Sequence, residues 1–162
     1  MKMESLQDLM LDVLKDTYDA EHQITQALPQ MAQAASSPDL KKAFEQHLRQ
    51  TEKQIEQLEQ AFEMIGQRPS RKQCVAMKGL IKEGQELIEE GGDKETLDAG
   101  LIAAAQKVEH YEIAAYGTLR TWAQQLGMND AAQIFDRIAQ EEGTTDQKLT
   151  KLAESKINQR AQ

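Results

Sequence analysis

Hydrophobic positions recur along this chain with a period near 3.6 residues, in runs long enough to span many helical turns. Leu6, Leu9, Val13, Leu14, Thr17, Glu21, Ile24, Leu28 and Met31 fall on one face of a helix predicted over about 5–35. Leu40, Phe44, His47, Leu48, Thr51, Ile55, Leu58 and Phe62 line a second, over about 38–65, with Ser37 as its expected N-cap and Pro38 at its first position. A shorter stretch follows over about 71–90, carrying Cys74, Met77, Leu80, Ile81, Leu87 and Ile88. Ala105, Val108, Ile113, Tyr116 and Leu119 mark the stripe of a helix over about 94–126, and Ile134, Phe135, Ile138, Leu149 and Leu152 that of a last one over about 131–157. Gly66, Gly91-Gly92-Asp93 and Gly127-Met128-Asn129-Asp130 punctuate the pattern. Pro29 lies inside the first helix and is expected to kink it or open its hydrogen bonding locally. The tail from Asn158 to Gln162 is expected to fray.

At ~1.5 Å per residue the long helices would each extend roughly 40–50 Å. Four long helices with a short one in the middle predict an all-α protein, an antiparallel four-helix bundle in which the short helix crosses between two hairpins. The whole of 1–162 reads as one domain. Apolar residues at 40%, charged ones at 28% and only three prolines agree with long soluble helices and leave little material for a sheet. Net charge is 19 − 27 = −8, which argues against a nucleic-acid backbone or an anionic membrane as partner. No run of 18 apolar residues occurs, and MKMESLQDLML has no apolar stretch long enough for a signal peptide. The lone Cys74 excludes an intrachain disulfide and suits a reducing compartment, so a cytoplasmic location is expected.

Candidate chemistry comes from the polar residues that interrupt the apolar stripes. Glu109 and Glu112 stand three apart, hence on one helix face, and that face is the stripe containing Val108 and Tyr116. Two acids there are costly unless a cation neutralises them, and no Lys or Arg shares the stripe before Arg120. A metal ion answers this economically. Its further ligands would be Glu21 on the first helix, His47 on the second, and Glu142 and Asp146 on the last, all near mid-helix, where antiparallel helices meet at one height. Five carboxylates and an imidazole can hold two ions with coordination positions left for water or dioxygen. Such a donor set favours iron or manganese over copper or zinc.

A shift of 112 − 21 = 91 residues lays the first hairpin on the second. Glu21 then matches Glu112, Leu28 matches Leu119, Asp39 matches Asp130, Phe44 matches Phe135 and Leu58 matches Leu149. A duplicated hairpin follows, with unequal ligands: Thr51 falls on Glu142 and His47 on Ile138.

The segments AEHQITQAL (20–28), AFEQHLRQTEKQI (43–55), CVAMKGLIKEG (74–84), AAAQKVEHYEIAAYGTL (103–119) and EEGTTDQKLTKLA (141–153) resemble the YciE/YciF stress-protein family, a branch of the ferritin-like superfamily. The resemblance covers nearly the whole chain. It implies a homodimeric ferritin-like bundle with one extra helix and a di-metal centre, held by Glu21, His47, Glu109, Glu112, Glu142 and Asp146 as matched position by position. One departure from the general ferritin-like pattern matters. Thr51-x-x-Gln54 and Glu142-x-x-Thr145 stand where a Glu-x-x-His pair is usual. Metal binding survives that departure better than oxidase or catalase turnover.

Other polar residues take plainer readings. Glu56, Glu59, Glu63, Glu83, Glu86, Glu89 and Glu90 read as solvated helix faces, and His22 and His110, each next to a candidate ligand, as surface or interface residues. Tyr18 or Tyr116 could donate a hydrogen bond to a ligand carboxylate. Cys74 reads as a packed small residue. Against the di-metal protein stands a structural or interaction bundle whose acidic core takes metal only opportunistically.

Overall fold

The computed structural model describes residues 2–162. Five principal helices make up the fold: α1 (Leu6–Ala34), α2 (Pro38–Met64), α3 (Val75–Glu90), α4 (Lys94–Gln125) and α5 (Asn129–Leu152). After α5 the chain continues through a π-helical turn, Ala153–Ile157, into the short α6 (Asn158–Arg160). No strand occurs among the described residues, and none of their helices is long and apolar enough to cross a membrane.

Side chains satisfy the orphan N–H groups where three of these helices begin. Ser5 Oγ accepts from Asp8 N at 3.1 Å, Asp93 Oδ2 accepts from Thr96 N at 2.8 Å, and Ser37 accepts from Leu40 N with Pro38 in the first turn of α2. Gly66 and Gly127, at φ of 73° and 72°, turn the chain out of α2 and α4 in the left-handed region that a Cβ disfavours. Pro29 is accommodated inside α1, which runs on to Ala34.

Helices α1 and α2 form one hairpin and α4 and α5 the other. Contacts of α1 with α4 and of α2 with α5 join the two, and α3 lies across α1 and α4 as the crossover. The turn between α1 and α2 is pinned to α4 by the buried Asp98, whose carboxylate accepts from Ser36 N, Ser37 N and Ser36 Oγ at 2.7–2.9 Å.

The apolar stripes assemble into two separate clusters. One gathers Ile24, Leu28, Leu40, Phe44, Met77, Leu101, Ile102 and Leu149. The other gathers Met10, Leu14, Leu58, Phe62, Tyr116, Leu119, Phe135 and Ile138. Because the helices alternate in direction, each long helix leaves one cluster and enters the other near its middle. The residue types at those crossings are Glu21, His47, Glu109 with Glu112, and Glu142.

Three boundaries differ from the periodicity; the last long helix begins at Asn129, inside the turn expected over 127–130. The third helix begins at Val75, not near 71, because tertiary acceptors capture the backbone before it. Lys72 N bonds Lys15 O at 3.2 Å, Cys74 N bonds Asp19 Oδ2 at 2.7 Å, and Arg71 Nε bonds Asp19 Oδ1 at 2.8 Å. Cys74 then serves as the N-cap, Sγ accepting from Met77 N at 3.3 Å. At the other end, Asn158–Arg160 stay helical where fraying was expected. Ile157 is buried just before them, and α6 packs on α4.

Candidate metal centre

Where the helices pass between the two clusters, the stripe position that would carry a Leu carries an acid or an imidazole. Glu21, Glu109, Glu112 and Glu142 are all at 0% exposure and His47 at 3%. His47 Nε2 lies 2.9 Å from Glu109 Oε1, 3.7 Å from Glu142 Oε2 and 4.0 Å from Glu112 Oε1. One donor atom from each of these four residues lies within 4.8 Å of the others. The 2.9 Å approach lacks the alignment of a hydrogen bond. With the acids ionised, both nitrogens of His47 and both oxygens of Glu109, Glu112 and Glu142 are buried without a hydrogen-bond partner; a proton on one carboxyl would be shared with its neighbour.

The sequence nominated six ligands, and the structure brings four of them into one group. Glu21 sits beside that group: its Oε1 accepts from Tyr116 Oη at 2.7 Å, while Oε2 is buried and unpartnered. Asp146 sits at the edge, half-buried. Its Oδ1 is 3.4 Å from Nε2 of the exposed His110, without forming a hydrogen bond. Of the two tyrosines considered as donors to a ligand, Tyr116 is the one that reaches; Tyr18 Oη donates to Glu59 at 2.8 Å. Glu59 is therefore a half-buried acceptor and not a freely solvated acid.

Electrostatics follow from burial and crowding. Burial, reinforced by the neighbouring charge of Glu142, raises Glu21 to about 7. Burial also raises Glu109 to about 7, with Glu21 and Asp146 contributing. Glu112 and Glu142 are pushed well above the usual carboxylate range, again by burial first and by the other acids second. Burial lowers the His47 imidazole against the opposing pull of Glu142 and Glu21, which favours its neutral form. Without a cation, burial and mutual repulsion favour the protonated forms of the four acids.

The residues fit a metal. An unpaired buried polar group costs about 1–3 kcal/mol, and more when charged, and here several such groups converge on one point. Neutral imidazole and carboxylate oxygens are the donors that iron and manganese take, and no thiolate is among them. The positions where a Glu-x-x-His pair would stand are engaged otherwise. Thr51 Oγ1 donates to His47 O at 2.9 Å, Gln54 Nε2 to Glu141 Oε2 at 3.1 Å, and Gln50 Nε2 to Thr145 Oγ1 at 3.2 Å.

Periodicity passed over Gln54, which is buried while its stripe neighbour Ile55 is only half-buried. Gln54 Oε1 and Thr17 Oγ1 are further buried atoms without partners. Its place three residues after Thr51 and four before Leu58 puts Gln54 on the stripe, a signal that assigning Ile55 to that face overlooked. Cys74, as expected, is a packed small residue; its Sγ is 3.1 Å from Tyr111 Oη, which donates to Asp16 Oδ2 at 2.7 Å.

Comparison with known proteins agrees with this fold. Over its whole length the chain is 48% identical to Protein YciF of Escherichia coli (strain K12), covering 98% of it. It superposes on the crystal structure of the E. coli stress protein YciF with a TM-score of 0.93 over 96% of this chain and 99% of that one. For YcfI of Rhodopseudomonas palustris the TM-score is 0.90 at 46% identity, over 92% and 95% of the two chains. A Xanthomonas campestris protein, 22% identical, shares the fold alone, with a TM-score of 0.75 over 93% of each chain. Residues 5–162 match the family described as Domain of unknown function (DUF892). The resemblance read from segments such as AAAQKVEHYEIAAYGTL thus holds for the full chain, and the protein belongs to the DUF892 family.

Proposed function

We propose that this protein is a di-metal carboxylate protein built on a ferritin-like antiparallel four-helix bundle, binding iron ahead of manganese, with a stress-related role. One observation carries the reading: the unpartnered oxygens of Glu109, Glu112 and Glu142 converge on the unpartnered Nε2 of His47 between two apolar clusters. These four residues hold one ion. Glu21, through its free Oε2, and Asp146, through its buried Oδ1, are the further donors available to a second. The stress-related role is taken from the E. coli relative, itself a stress protein.

When bound, the metals supply electron exchange with dioxygen or peroxide. The chain's own groups do the rest. Tyr116 fixes the orientation of Glu21 through Oε1 and leaves Oε2 to coordinate. The aliphatic clusters on either side keep bulk water from competing for the ligand atoms. The high proton affinity of the acids makes metal uptake a proton-releasing exchange.

Metal content of protein purified without added metal or chelator tests this directly. About two iron or manganese ions per chain are expected, falling in a Glu112→Ala variant. Protein that is metal-free as purified, takes up none on titration, and is equally stable as Glu112→Ala would overturn the reading in favour of a purely structural bundle.

A further inference from the structure

His47 closes more than the acidic group. It is also the floor of a cavity of about 30 Å³ enclosed by α1, α3 and α4. The buried walls around it are Ile24, Leu28, Gly84, Ala105 and Val108. Of all the lining residues only Gln30 and Gln85 are exposed, so they mark the mouth. Gln85 Nε2 donates to Gln30 Oε1 across it at a long 3.4 Å, tying α3 to α1 by a contact weak enough to open.

The size and lining of the cavity select its occupant. A water needs about 10–15 Å³ measured this way and two to four polar partners. The room here would suit roughly two waters, yet below the mouth His47 is the only polar wall. An apolar guest would give up no hydrogen bonds on entering, and it would replace missing dispersion contacts along the aliphatic walls. Ions and water have a different approach to the same imidazole. A crevice of about 50 Å³ between α2 and α5 also reaches His47, where Gln46, Gln50, Thr145 and Lys148 share the lining with Ala43, Phe44 and Leu149. His47 is thus approached by a mixed crevice bearing four polar side chains on one side and by a nearly all-aliphatic cavity on the other.

We propose that the α1–α3–α4 cavity is a binding site for a small uncharged apolar molecule, delivered past the Gln30–Gln85 contact to the imidazole of His47. A dissolved gas and the end of a linear alkyl chain share this chemistry. The proposal rests on the di-metal reading for the guest's use at His47, but binding itself requires no metal.

The test uses the full chain, metal-stripped and metal-loaded, with xenon as the gas probe and 1-pentanol as the alkyl probe, read by methyl NMR. Saturable shifts confined to the methyls of Ile24, Leu28, Ile81 and Ile88 are expected. They should be abolished in Ala27→Leu or Ala104→Leu, two half-buried wall positions where a larger side chain fills the space. Gln85→Ala should leave the shifts and speed guest exchange. Xenon alone producing them assigns the site to gas-sized guests; both probes producing them extends it to chain ends. No saturable shift with either probe, shifts spread over both apolar clusters, or shifts that persist in folded Ala27→Leu and Ala104→Leu would overturn the proposal. Metal content measured on the same samples separates the two readings. Absent guest binding with metal retained removes only this inference, and guest binding without metal uptake removes only the metal.

Discussion

Tyr116 Oη donates a 2.7 Å hydrogen bond to Oε1 of Glu21, across the interface between α4 and α1. Under the 91-residue shift, the matching position does not reciprocate it. The position matching Tyr116, at 116 − 91 = 25, is Thr25, whose hydroxyl donates instead to His22 O at 2.7 Å. Glu112, the twin of Glu21, is left with both oxygens free. The centre is therefore asymmetric, with one acid oriented by a phenol and its counterpart by none.

Tyr116→Phe should expose that difference. Removing the hydroxyl leaves Glu21 Oε1 buried and unpaired, so the metal-free protein should lose about 1–3 kcal/mol of stability. The metal-loaded protein should lose less if an ion takes up the freed oxygen. Urea midpoints with and without metal give both values, and an equal loss in the two forms would assign the phenol a purely structural part.

Stability should fall with rising pH in the metal-free protein. Glu21 and Glu109 are raised to about 7 by burial first, and Glu112 and Glu142 are raised well above 4.5. Each binds its proton more tightly folded than unfolded. Its stabilising contribution is therefore complete below the unfolded value and is lost as pH climbs through the folded one. The lowered His47 works in the opposite sense, destabilising the fold as pH drops below 6.5, but it is one group against four. Thermal melts should give a lower Tm near about pH 8 than near about pH 5.5. Added metal should reverse the order, because coordination needs the acids deprotonated.

Glu112→Gln should stabilise the metal-free protein at about pH 8, by roughly 1–2 kcal/mol, since it relieves a crowd of buried acids. The same change should lower metal stoichiometry. Denaturant midpoints and metal analysis on one preparation check both, and a destabilised metal-free variant would mean that Glu112 is satisfied without an ion.

Asp19→Ala should detach the segment before α3. It removes the acceptor of Cys74 N, Arg71 Nε and Gln23 Nε2, and leaves the Cys74 amide buried and unpaired. A loss of about 2–3 kcal/mol is expected, with faster hydrogen exchange at the Cys74 amide as the local readout.

The candidate ligands were legible where chemistry and periodicity disagree: an acid on an apolar stripe is a signal, and Glu21, Glu109, Glu112 and Glu142 each gave it. His47 gave a weaker one, because a buried histidine often serves only packing. The start of α3 was not legible, because it depends on Lys15 O and Asp19, more than fifty residues away in sequence from the amides they capture. Nor was the side to which Asp146 turns, where the exposed His110 competes for its oxygen.

The division of the interior into two aliphatic clusters also bears on how the molecule comes apart. The seam between them cuts all four long helices near mid-length and brings together four carboxyls that repel when ionised, with His47 among them. Each half can loosen without first breaking the packing of the other, so native-state hydrogen exchange should resolve two subglobal openings. An ion bound at the seam would be tied to α2, α4 and α5 at once through His47, Glu109, Glu112 and Glu142. Loading the protein should therefore merge the two openings into one cooperative unit. Metal status would then be registered as mechanical unity, visible to a protease or an unfoldase before any reaction takes place.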